Sequence, residues 1–88
     1  MSTKKLDSKL EKELKDYILN HCPFIDDYVY EINDEGSEIS FTYPSNMADI
    51  NIMFEVIKHI ENQLNAKHIG IRAISSNIIS VYRFNQKI

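Results

Sequence analysis

The 88-residue sequence predicts an α+β two-layer sandwich, with two helices on one face of a four-stranded antiparallel sheet. Three observations predict it. Apolar residues recur at helical spacing in two segments, around Leu10–Ile18 and Ile50–Leu64. Each segment is followed by two alternating runs separated by polar turn residues. No linker or low-complexity stretch divides the chain, so residues 1–88 are expected to form a single domain in the order α-β-β-α-β-β.

The first helix is expected to open at a capping box, Ser8-Lys9-Leu10-Glu11, where the serine and the glutamate each satisfy an orphan backbone N–H. Leu6 precedes it as a hydrophobic staple. Leu10, Leu14, Tyr17 and Ile18 make the buried stripe. Pro23 ends the helix, because the residue before a proline is pushed out of the helical region.

In the first hairpin Tyr28, Tyr30 and Ile32 share one face with Ile39, Phe41 and Tyr43. A four-residue loop, Asn33-Asp34-Glu35-Gly36, pairs Ile32 with Ser37, Tyr30 with Ile39 and Tyr28 with Phe41. A three-residue loop would pair Ile32 with Glu38 and mix the faces. Pro44 closes the strand. The second helix is expected from Met47 to Ala66, capped by Ser45 or Asn46. Ile50, Met53, Phe54, Ile57, Ile60 and Leu64 form its stripe, which Ile52 and Val56 widen. The last hairpin turns at Ser75-Ser76-Asn77, with asparagine tolerating the left-handed region.

The ferredoxin-like fold runs β-α-β-β-α-β. Moving its first strand to the end gives the order expected for this chain, so the sheet is expected to be a circularly permuted ferredoxin-like one. Its strands would lie in the order third, fourth, second, first, with the third at an edge.

The formal charge of −3 hides an asymmetry. Residues 22–61 carry nine acids and one base, whereas residues 62–88 carry four bases and no acid. Such a dipole bears on association more than on fold. Cys22 is the only cysteine, a usage that fits a reducing, cytoplasmic compartment. The N-terminal segment has no apolar core of a signal peptide, and no apolar run approaches the length that spans a bilayer.

The stretch from His68 to Phe84 holds five isoleucines, a valine, a tyrosine and a phenylalanine, and no acid. A three-residue loop would put Ile69, Ile71, Ala73, Ile79 and Val81 in the core and leave Arg72, Ile74, Ile78, Tyr82 and Phe84 on the open face. A two-residue loop would bring the aromatics inward and turn Ile74, Ile79 and Val81 out. Either register leaves large apolar side chains wet, which forgoes about 1.5–3 kcal/mol for each. Exposed apolar patches mark binding surfaces. The expected partner site is therefore Arg72, Ile74, Ile78, Tyr82 and Phe84.

The sequence carries no catalytic, cofactor or metal signature. His21, Cys22, His59 and His68 lack ligand spacing, and two glycines, Gly36 and Gly70, are too few for a phosphate-cradling loop. Gly70 is expected to let a neighbouring side chain such as Tyr82 lie across the strand. The acids Asp26, Asp27, Glu31, Asp34, Glu35 and Glu38 form a surface suited to a basic protein partner. The expectation is a non-enzymatic, regulatory or inhibitory interaction module, homodimeric through the C-terminal hairpin. Size and acidity fit small accessory proteins of phages or mobile elements. The alternative is single-stranded RNA stacked on Tyr82 and Phe84 beside Arg72, which the acids on the same face oppose.

Overall fold

The computed structural model describes residues 5–22, 28–44 and 50–85, with Ile50 described by its backbone alone. The expected caps Ser45 and Asn46, the start at Met47, the stop at Pro23 and the acids Asp26 and Asp27 lie outside the described residues.

Helix α1 spans Ser8–His21. Its cap is Asp7, one residue before the expected box. Asp7 Oδ1 accepts the Lys9 N–H at 2.8 Å, and the Asp7 carbonyl accepts the Glu11 N–H at 2.8 Å. At this position the carboxylate both accepts an orphan N–H and sits favourably at the positive end of the helix dipole. Leu14 and Ile18 are buried, with Leu10 and Tyr17 beside them, as the stripe requires. The helix closes where the Cys22 N–H bonds the Ile18 carbonyl at 2.8 Å.

Strands β1 (Val29–Ile32) and β2 (Glu38–Pro44) pair antiparallel with Ile32 opposite Ile39 and Tyr30 opposite Phe41. The expected pairing is thus displaced by two residues, and Asn33 is the reason. Its Oδ1 accepts the N–H of Ser37 at 2.8 Å and of Glu38 at 3.0 Å, and its own N–H donates to the Glu38 carbonyl at 3.0 Å. That draws Asn33 opposite Glu38 and leaves residues 34–37 as the four-residue loop. Gly36 supplies the left-handed residue the loop needs, at φ 69°. A shift of two preserves side-chain parity, so the faces sort as expected.

Helix α2 spans Ile50–Leu64 and stops at Asn65, whose φ is 51°. Ala66, expected to be helical, opens strand β3 (Ala66–Ile74) instead. Val56, Ile57, Ile60 and Leu64 are buried, with Ile52 and Met53 partly so. Phe54, assigned to the stripe, faces out, because the buried arc is centred on Val56 and Ile60. Strand β4 (Asn77–Phe84) returns after a two-residue turn, Ser75-Ser76. Ser75, at φ 54°, takes the left-handed position expected of Asn77, which pairs with Ile74.

The sheet runs β1-β2-β4-β3 with every pair antiparallel. The molecule is a two-layer α+β arrangement, compatible with a permuted ferredoxin-like sheet. Its core sets Leu14, Ile18, Val56 and Ile60 of the helices against Ile39, Phe41, Tyr43 and Tyr82. Among the described residues no helix is long and apolar enough to cross a membrane.

Candidate interaction surface

The register fixes which residues share the open face. One row runs Glu31, Ser40, Val81, Gly70; the next runs Val29, Thr42, Ile79, Arg72. Pro44, Asn77 and Ile74 form a third, and Glu38, Arg83 and Lys67 a fourth. Among the described residues this face carries no aromatic ring.

That corrects the expected partner site. Tyr82 is 0 % exposed and Phe84 8 %, and Ile78 packs against the core. The two-residue turn sets their parity and turns them towards the helices. Phe41 meets the Tyr82 ring edge-on at 5.7 Å, and His68 packs against it at 5.0 Å. Burial pushes the Tyr82 hydroxyl pKa up and that of His68 down, the latter partly offset by Glu61. The rings needed to stack RNA are therefore inside. Arg72 and Ile74 are exposed on the open face, as expected.

The outer edge of β3, expected from the strand order, is exposed; what the sequence reading missed is the bulge within it and the exposure of Ile69 and Ile71. Ile69, Ile71 and Ile74 are between 42 and 47 % exposed, although Ile71 faces the helix side. From Ile69 onward the strand lies largely beyond the cover of the two helices, whereas Ala66 at its start is buried. The register slips between His68 and Gly70, a bulge that absorbs Ile69. The available signal was Gly70 itself, since a glycine inside an apolar strand suggests a bulge. A Cβ on Gly70 would meet nothing within 4 Å, so no side chain crosses it and the expected contact with Tyr82 is absent.

Backbone polarity divides this edge. The bonds Asn33 N–H to Glu38, Phe84 N–H to Ser37 and Asn85 N–H to Asn65 set the alternation through the sheet. By that alternation His68, Ile71 and Ala73 direct their N–H and C=O groups away from β4. The His68 N–H is taken by the Glu61 carboxylate of α2 at 2.8 Å. The half from Gly70 to Ile74 carries no such cover among the described residues. At the opposite edge Tyr30 and Ile32 direct theirs away from β2, and Val29 is 67 % exposed.

The charges sit asymmetrically. Glu31, Asp34 and Glu38 rim a shallow hollow on the open face with Ile79 and Val81 on its floor and Arg72 on its far side. Glu38 holds Arg83 at 3.0 Å. Glu35 is exposed in the loop beside Asp34.

On the helix layer, Tyr17 stacks on His59 at 3.6 Å and on His21 at 4.0 Å, a three-ring column joining α1 to α2. His21 Nδ1 lies 3.0 Å from the Tyr17 carbonyl. Burial, then the neighbouring His21, hold the His59 pKa down, against a smaller opposing pull from Glu13. Among the described residues no three His, Cys, Asp or Glu side chains gather to hold a metal ion. Cys22 is buried and its thiol pKa is raised by that burial.

Comparisons with family models, with curated proteins and with solved structures found no match for this chain.

Proposed function

We propose that this chain is a non-enzymatic protein-interaction module that acts through the outer edge of its C-terminal hairpin, first by self-association as a homodimer. One observation carries the reading: a nine-residue edge strand with three exposed isoleucines. Folded proteins blunt or cover such edges, because unpaired strand groups template pairing with another chain. Here the Glu61 contact and the bulge blunt only the first half. The acidic hairpin at Glu31, Asp34 and Glu35 supports a second role, meeting a basic surface on a larger protein that the module inhibits or regulates.

Sedimentation velocity across a concentration series tests the first role. The expected result is a mass rising with concentration and an association changing only a few-fold with salt, because burial of apolar side chains is not screened. Ile71→Lys and Ile74→Lys are expected to hold the protein monomeric while its circular dichroism is unchanged. A wild-type chain that stays monomeric at its highest soluble concentration overturns the reading.

A further inference from the structure

The two edges of the sheet complement each other, and this says what the partner is and how it docks. We propose that a second copy of the chain lays its β1 strand, antiparallel, along the Gly70–Ile74 half of β3, so that the protein assembles head to tail. This rests on the reading of β3 as the interaction edge.

Strand direction comes first. In a sheet ordered β1-β2-β4-β3 with every pair antiparallel, the outer strands run in opposite directions. A copy displaced sideways in the plane of the sheet therefore presents its β1 antiparallel to β3, and the ladder continues without reversal.

Register comes next. Set Arg72 opposite the partner's Glu31. Ile74 then falls opposite the partner's Val29, and these four side chains lie on the open face of both copies. Ile71 falls opposite the partner's Ile32, and Ala73 opposite the partner's Tyr30, all on the helix side. Ile71 and Ala73 direct their backbone groups off the β3 edge, and Tyr30 and Ile32 direct theirs off the β1 edge. The groups needed for the new ladder bonds therefore meet. One register satisfies charge, apolar face and backbone polarity together.

Pairing β3 with a second β3 brings no opposite charges together, since residues 66–74 hold no acid. Centring the two strands on Arg72 sets one guanidinium opposite another, and like charges directly opposite are destabilising. Moving the centre towards Ile69 runs each strand into the bulge and the Glu61 cover. A head-to-tail contact is also heterologous. The homodimer so formed leaves one β3 and one β1 edge open, so it is the first step of an assembly that extends or closes into a ring.

The test uses edge proline variants of the full chain. Ile71→Pro and Ile32→Pro each remove an N–H that no strand among the described residues uses. Each variant alone is expected to be monomeric by sedimentation velocity. Their equimolar mixture is expected to form a 1:1 dimer that does not grow, one copy offering β3 and the other β1. If Ile32→Pro associates alone while Ile71→Pro does not, β3 pairs with something other than β1: the head-to-tail proposal falls and the interaction edge stands. If Ile71→Pro associates as the wild type does, both fall. Should either proline variant lose its fold, charge reversal decides instead. Arg72→Glu and Glu31→Arg are each expected to weaken association about fivefold, as cross-strand pairs do, and the double variant to restore it. Unchanged association in both single variants overturns the proposal.

Discussion

The hydroxyls of Tyr43 and Ser80 meet at 2.6 Å in the middle of the core, joining β2 to β4 where neither residue touches water. Ser80 lies fully buried on the inner face of β4. Removing it alone strands the tyrosine hydroxyl. Ser80→Ala is expected to cost about 1–3 kcal/mol in urea unfolding. The double variant Tyr43→Phe with Ser80→Ala is expected to recover part of that loss, because the Tyr43 hydroxyl is then no longer buried without its partner.

The α1 cap separates two neighbouring residues. Asp7→Ala removes the acceptor for the Lys9 N–H and is expected to cost about 1 kcal/mol. Ser8→Ala is expected to change the thermal midpoint little, since Ser8 is the first helical residue and not the cap. Equal losses from both substitutions would restore the capping box.

Gly36 sits at φ 69° in the first turn. Gly36→Ala is expected to destabilise by about 1–2 kcal/mol, the cost of a left-handed conformation for a residue with a Cβ. Asn33→Ala removes the acceptor for two backbone N–H groups in the same turn and is expected to act in the same direction. Denaturant midpoints of the two variants check both.

The stacked column gives a pH dependence. The His59 pKa lies below 6.5 in the folded chain and returns there on unfolding, and His68 shifts the same way. The unfolded chain therefore takes up protons first as pH falls. The contribution of both groups is complete above pH 6.5 and declines as pH drops through that value towards their folded pKa values. Urea midpoints measured across this range, with His59→Gln as the comparison, are expected to show a shallower acid decline in the variant.

Tyr82→Ala tests where that ring lies. Full burial predicts a loss of about 3–5 kcal/mol, much of a small domain's stability, whereas a ring on the open face would cost little. Equilibrium unfolding distinguishes the two.

Periodicity made most of this architecture legible. Both helices, all four strands and their order could be read because a stripe or an alternation survives small errors in end points. Hairpin 1 shows why: a pairing displaced by two still sorts Tyr30 with Phe41. Parity in hairpin 2 depended on one turn residue. Serine was not an obvious choice for the left-handed position, yet Ser75 takes it, and the choice between two and three loop residues decides whether Tyr82 faces protein or water. The β3 edge was harder still. Gly70 hinted at the bulge, but the Glu61 contact that covers the first half of the edge depends on how far α2 reaches across the sheet, and no local pattern encodes that.

Helix α2 passes into β3 through Asn65 alone, and this residue is tied to Asn85 twice, carbonyl to N–H at 3.0 Å and amide to amide at 2.9 Å. A joint with no slack works as a crank. A displacement of the outer strand is therefore expected to reach the end of α2, the helix whose His59 stacks on Tyr17. Proton chemical shifts of His59 thus offer a remote gauge of whatever grips the far side of the sheet.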